Sequence, residues 1–281
     1  MLQLKKAQRK QVKLRLNLSA PSGAGKTMSA LKIAKGLCND WSKVAVIDTE
    51  NGSASLYSHL GDFNIIDLQP PFTPEKYIEA INICTLAGME VIIIDSSTHE
   101  WNCLLEENEL LAQASFRGNT WSAWSKTTPR HDRFVNAVLN CTSHVITCTR
   151  SKMETIQEGG KVKKVGMKDM QREGWEYELT VSLNIERDTH LATASKDRTN
   201  LFEGQLPFLI TEETGKLIKQ WCESGIDINS FILDQAKTFT NYDLYKDWYK
   251  VNANNVTDEA VKAELAAIGK ELGAKKEEGK V

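Results

Sequence analysis

Residues 13–38 read KLRLNLSAPSGAGKTMSALKIAKGLC, and this stretch decides the fold. Lys13–Leu18 alternates apolar and polar residues as a strand does. Met28–Cys38 sets Leu31, Ile33, Ala34 and Leu37 at helical spacing. Between them stands A-x-x-x-x-G-K-T, with Ala20 in the corner that a first glycine usually takes and where a single methyl fits. Strand, glycine-rich loop and helix together form the context that a phosphate-binding loop needs. Gly23 and Gly25 let the backbone curl, so that Ser22, Gly23, Ala24, Gly25, Lys26, Thr27 and Met28 become the candidate cradle. Successive N–H groups then point into one concavity at the positive end of the helix, and Lys26 adds a full charge for the β- and γ-phosphates. The Thr27 hydroxyl suits Mg²⁺, which prefers oxygen ligands shared with phosphate. The expected ligands are therefore ATP and Mg²⁺.

The 281 residues suffice for one ordinary core with a small appendage. A content of 41% hydrophobic and 26% charged residues is that of a soluble globular chain. A net charge of −2 gives no global basic signature, so any nucleic-acid surface must be local. The six cysteines include no C-x-x-C pair and read as reduced, mostly buried thiols. With no apolar run near the ~20 residues of a membrane span and no signal-peptide core, the expectation is a cytoplasmic protein without a membrane partner. The five histidines lack metal-ligand spacing.

The rest of the chain supplies the chemistry around the loop. Met1–Arg15 holds six cations and no acid, an arm for a phosphate backbone or a solvated lead-in. Lys43–Asp48 is a short apolar run of the doubly buried parallel type, followed by Thr49 and Glu50. A carboxylate at such a strand end faces the nucleotide crevice, which makes Glu50 the candidate to polarise the attacking water. Val91–Ile94 closes in the same way on Asp95, the candidate to hold Mg²⁺ with Thr27. Ser115–Thr128 reads as a polar loop carrying Phe116, Trp121, Trp124, Arg117 and Lys126, a setting for base stacking along single strands or for interface packing. Pro129–Asn140 reads as a further helix.

His144–Thr149 is a strand that exits at Arg150 and Lys152. Met153–Arg172 follows as a hairpin or loop, and Arg150, Lys152, Lys161, Lys163, Lys164, Lys168 and Arg172 make the leading candidate for backbone phosphates, with a solvated hairpin as the alternative. Tyr177–Glu186 and His190–Ser195 read as an antiparallel pair. The second strand delivers Lys196 and Arg198 two residues apart, pointing the same way to meet one anion. From Thr214 the pattern is helical, ending in a frayed tail over Gly273–Val281.

Taken together these stretches resemble the RecA/RadA superfamily. The Ile47-Asp48-Thr49-Glu50 run is similar to that family's I-D-x-E, whose glutamate is the catalytic base. Tyr57 stands at the spacing of the aromatic that stacks on adenine, and Leu60-Gly61 follows. VIIIDSS resembles the metal-aspartate strand, and Lys196-Asp197-Arg198 the K-x-R motif that reaches a neighbouring subunit's site. The family's two DNA loops fall at Trp121/Trp124 and at 150–172. Thr147-Cys148 replaces the N-Q pair of RecA proper, leaving Arg150 as the candidate γ-phosphate sensor. The opening pattern and the SKDRT segment resemble short bacteriophage ATP-binding proteins of the Sak-type annealing group, which would put the chain in a host cytoplasm. The resemblance covers roughly residues 6–204.

It implies an α/β RecA-like core with a mostly parallel sheet flanked by helices, an antiparallel extension and a small C-terminal helical region. The expected division is a basic arm over 1–15, the ATPase core over 16–213 and helices with a charged tail over 214–281. The implied function is a DNA-dependent ATPase that pairs or anneals single-stranded DNA as a ring or filament. Glu50, Lys26, Lys196 and Arg198 would be catalytic, and a single-strand-binding protein is a further candidate partner. A loader or switch acting on a replication protein is the alternative. A small-molecule kinase is the third, against which the I-D-x-E strand and the distant K-x-R motif argue.

Overall fold

In the computed structural model the alternating run becomes β1 (Arg15–Ala20), and α1 (Lys26–Cys38) follows across the loop. The structure describes residues 9–158, 161–256 and 258–278, without the side chains of 155–166, 255 and 277–278. Two compact units emerge, residues 13–219 and a second formed by the N-terminal residues through 12 with 220–281.

The larger unit is built on a sheet that has nine strands among the described residues, in the order β3-β2-β4-β5-β1-β7-β8-β9, with β6 paired to β5. The apolar runs make β2 (Val44–Asp48) and β4 (Val91–Asp95), buried at every position. Parallel strands covered on both faces lose the polar alternation of a half-exposed sheet. The strands β3 (Asn64–Asp67), β2, β4, β5 (His144–Glu158), β1 and β7 (Val181–Ile185) run parallel. At one edge β8 (Leu191–Asp197) and β9 (Phe208–Leu209) continue antiparallel. Helices α2 (Pro74–Leu86), α3 (Thr98–Ser115) and α4 (Thr120–Asn140) join α1 in flanking the sheet. A core of Ile47, Tyr77, Ile81, Ile92, Ile94, Phe134 and Val145 fills the space beside β2, β4 and β5.

The polar positions of β1 do not face water. Asn17 Oδ1 accepts the hydroxyls of Thr147 at 2.9 Å and Thr149 at 2.7 Å, and Ser19 donates to Asp169. A Cβ on Gly36 of α1 would meet the Glu212 carbonyl oxygen at 2.1 Å, so that glycine lets α1 and the start of α6 (Glu212–Glu223) approach backbone to backbone.

Three sequence expectations change here. The polar stretch at 115–128 is not a long loop. A turn at Arg117 and Gly118, both at positive φ, leads into α4, whose cap is Asn119 accepting Ser122 N–H at 3.1 Å. Pro129 lies inside this helix, so the two predicted pieces are one element. Strand β5 does not stop at Thr149 but continues to Glu158 and folds back on β6 (Lys161–Asp169), making the basic segment a β-hairpin. Tyr177 belongs to the short helix α5 (Trp175–Glu178), and its strand starts only at Val181.

In the second unit α7 (Ile228–Lys237), α8 (Tyr242–Asn252) and α9 (Glu259–Glu278) pack Ile232, Ala236, Tyr245, Leu265 and Leu272 into their own small core. Helix α9 runs past Gly273, and Lys276 reaches Asp243 at 2.5 Å, so the tail is ordered helix to 278. Part of the basic arm is engaged in this unit. Arg9 donates to the Trp221 carbonyl at 2.9 Å, and Lys10 sits 4.3 Å from the Phe231 ring centre. Arg15 is buried in β1, so neither end of the described arm is a free cation for phosphate. Among the described residues no helix is long and apolar enough to cross a membrane.

Candidate active site

The sheet brings the ends of β1, β2 and β4 level with residues 148–150 of β5, and Lys26, Thr27, Glu50 and Asp95 sit at or just beyond those ends. After β1 the chain turns through Gly23 at φ 81° and Gly25 at φ 87°, left-handed conformations that disfavour a side chain. Gly25 caps α1, so the open N–H groups of the first turn face the loop. Ser22 and Gly23 are exposed, Ala24 is buried, and Met28 lies half-buried in the first turn. Lys26 is buried and donates to the carbonyls of Ala20 and Pro21, each at 3.0 Å. A carbonyl is a weaker partner for an ammonium than a phosphate, so these contacts hold the lysine ready for an anion. The Ala24 carbonyl lies 3.1 Å from His190 Nδ1, which braces the loop from the turn before β8. That contact had no signal in the sequence beyond the turn itself.

Thr27 donates its hydroxyl to Asp95 Oδ2 at 2.5 Å. Asp95 is almost fully buried, and burial pushes its carboxyl up to about 6 against the hydrogen bond from Thr27. A hydroxyl and a desolvated carboxyl in contact, beside an anion cradle, are a donor set that fits Mg²⁺. Bound there, the ion would offset phosphate charge.

Beyond β2, Asp48 accepts the N–H groups of Glu50 at 2.7 Å and Ala54 at 2.8 Å, which folds the following turn and aims Glu50. The aspartate of the I-D-x-E run therefore has a structural task. Glu50 meets Arg150 in a two-pronged ion pair, Nε to Oε1 at 2.9 Å and Nη2 to Oε2. Burial works to raise Glu50, but the hydrogen bonds and charge of Arg150, helped by His99 and Lys26, hold it below the usual carboxylate range. His99 is held below its ordinary value by burial, with its Nδ1 2.8 Å from Thr49 Oγ1. Ser96 N–H donates to the same Thr49 oxygen at 2.8 Å, so Thr49 ties the β2 exit to the β4 exit.

Arg150, expected both among the DNA-contacting cations and as a γ-phosphate sensor, is thus paired with Glu50. The parallel register opposes Arg150 to Ala20, the first residue of the loop motif, which explains its position.

Tyr57 is half-buried in a 3₁₀ helix (Ser53–Leu60), its ring 6.5 Å from that of His59. Lys196 and Arg198 do point the same way, both donating to the Tyr177 carbonyl, Arg198 at 2.8 Å. Trp121 is 85% exposed, whereas Trp124 stacks on Trp101 with ring centres 5.4 Å apart and is not a free stacking platform. Lys126 and Lys152 are exposed, and Lys152 registers opposite Lys168 in the hairpin. The side chains of Lys161, Lys163 and Lys164 lie outside the described residues, although their backbone forms β6.

A family model described as an AAA domain matches residues 12–205, from just before β1 to just past β8. No curated protein matches the chain. The matched span holds the glycine-rich loop, Asp95 and the Glu50 turn, and with them the chain belongs to the AAA domain family of P-loop ATPases.

Proposed function

We propose that this ATPase is a RecA-like protein that binds single-stranded DNA for annealing or strand pairing and works as a homo-oligomer. The observation that carries the reading is the path of β5. From Arg150, paired with Glu50, the strand runs on, through a register shift between Glu154 and Thr155, into a hairpin whose sequence holds Lys152, Lys161, Lys163, Lys164 and Lys168. A cationic arm of this kind suits a phosphate backbone, and the exposed Trp121 suits a stacked base.

In this reading Lys26 holds the phosphates, Thr27 and Asp95 hold Mg²⁺, and Tyr57 covers the adenine. Glu50 takes the proton of the attacking water. Lys196 and Arg198, side by side at the β8 end, would serve a neighbouring subunit's site as a finger does.

A second reading has one observation in its favour. Trp121 stands on a regular helix beside a Trp124 already packed on Trp101, as it would in a protein interface. The chain would then be a loader or switch for a replication protein. Fluorescence anisotropy of a labelled oligonucleotide, titrated with protein and ATP analogue across salt, separates the two. Affinity that falls steeply with salt and with charge reversal at Lys152 and Lys168 supports the first reading. No binding at low salt removes it.

A further inference from the structure

The second unit holds a groove of about 560 Å³ between α8 and α9, a volume in the range of ordinary ligand sites. Its walls are Tyr242, Tyr245 and Tyr249 of α8 with Leu265, Gly269 and Gly273 of α9. Glycine weakens a helix interior, so two of them on one face of α9 call for a reason. A Cβ on Gly269 would come within 3.0 Å of Tyr245 Cε1, so this glycine seats the ring. A Cβ on Gly273 would meet Tyr242 only at 3.4 Å, an ordinary contact. Packing therefore demands the first glycine, and the second keeps the groove open.

The charge of the groove is one-sided. Among its lining residues Lys246 and Lys270 alone are charged, and both are exposed. Carboxylates on the two helices are taken by other cations: Asp243 by Lys276, Asp247 by Lys250, Glu264 by Lys237 and Glu271 by Lys275. Among the described residues the ammonium groups of Lys246 and Lys270 have no such partner. The hydroxyls of Tyr242 and Tyr249 also lack one there, whereas that of Tyr245 donates to the Leu265 carbonyl at 2.6 Å. An apolar slot with two unneutralised cations complements an anionic chain that also brings an apolar group.

We propose that this groove docks a short acidic peptide segment of a partner protein, with an aromatic or long aliphatic side chain in the slot and carboxylates on Lys246 and Lys270. A single strand of nucleic acid would satisfy the lysines too, but its bases need an open ring face. Tyr245 is 3% exposed, and its ring lies tilted by 34° to Tyr249 and by 36° to Trp248. Tyr242 sits against Gly273 and has the Lys276 ammonium 5.6 Å from its ring centre. The rings make a shaped wall and not a stacking platform, which favours side chains over bases. The proposal is independent of the DNA reading and uses no part of the nucleotide site.

Panning a displayed library of short random peptides on the full chain tests it, the best peptide then being labelled and titrated by fluorescence anisotropy. The expected result is enrichment of acidic sequences that carry Phe, Trp, Leu or Ile. Lys246→Glu with Lys270→Glu should weaken the selected peptide roughly tenfold, as reversal of two exposed charge contacts does. Ala266→Leu, which adds bulk to the slot, should bring a comparable loss, with thermal melts by circular dichroism showing that each variant folds. Should Ala266→Leu fail to fold, Ala274→Leu carries the same comparison. Enrichment of basic or uncharged peptides, no enrichment, or binding indifferent to these substitutions would overturn the proposal. Labelled oligothymidylate should bind the charge-reversed variant as it binds the parent. An equal fall in its affinity would give the groove to nucleic acid and overturn the proposal as well.

Discussion

Arg15 and Arg150 stand at opposite ends of the stretch over which β1 and β5 pair, and they do opposite things. Arg15, 7% exposed, spreads its guanidinium over the backbone carbonyls of Leu14, Leu139, Cys141 and Ser143. Two of these belong to the C-terminal turn and cap of α4, where unpaired carbonyls and the helix dipole welcome a cation. Arg150 instead meets one carboxylate at a reachable surface. Neutral carbonyls fixed in the backbone cannot be exchanged for another partner, whereas a carboxylate competes with any stronger anion that arrives. The same residue type therefore staples one end of the sheet and leaves the other end responsive.

The largest effect tests the responsive end. Lys26→Ala should lower ATP turnover by at least about a hundredfold, as loss of a single preorganised charge contact at a transition state does. A steady-state assay showing near-normal turnover would remove the phosphate loop from the chemistry. At the stapled end, Arg15→Met should cost about 3 kcal/mol, because it leaves several buried carbonyls unpaired. Urea unfolding followed by circular dichroism measures this. Nucleotide affinity of the folded fraction should stay unchanged, and a shift there would blur the division between the two ends.

A third test sharpens the stapled end by pH. His144 Nδ1 accepts Leu14 N–H at 3.0 Å, and burial, with Lys13, Arg15 and Lys219 nearby, depresses its pKa to about 3. The unfolded histidine takes a proton near pH 6.5 while the folded one does not. The stability this group contributes is therefore present above about pH 6.5 and is lost progressively as pH falls toward about 3. His144→Asn, which can still accept from Leu14, should flatten that acid slope in thermal melts, and an unchanged slope would assign it to other groups.

The smallest effect concerns Trp121. Its replacement by alanine should weaken single-stranded DNA binding by about 1 kcal/mol, in line with one lost base stack, at unchanged stability. Unaltered DNA affinity would favour the protein-interface reading of α4.

Much of the responsive end is legible in the chain because its parts are local. Glycines that must adopt positive φ, followed at once by Lys-Thr, write the phosphate loop into one short stretch. Strands buried on both faces write themselves as the runs VAVID and VIIID. The features that the chain hides depend on neighbours distant in sequence. Glu50 and Arg150 are 100 residues apart, and only the strand order, with β4 between them, brings them together. His190 reaches the loop in the same way, from 166 residues away. Helix α4 is hidden for a local reason. Asn119, Ser122, Ser125 and Pro129 favour turns in isolation, and Ala123, Thr127, His131 and Phe134 override them by burial. The polar face of β1 looks solvent-facing because Asn17 and Ser19 find their partners only on β5 and at the end of β6.

The most direct test of the central claim is ATP turnover by the full chain with and without single-stranded DNA, across a salt titration, with Lys26→Ala as the blank. The expected result is turnover stimulated by DNA and a stimulation that fades as salt rises, since the cationic hairpin grows from the strand that carries Arg150. Turnover indifferent to DNA at every salt concentration, in a protein that still hydrolyses ATP, would contradict it.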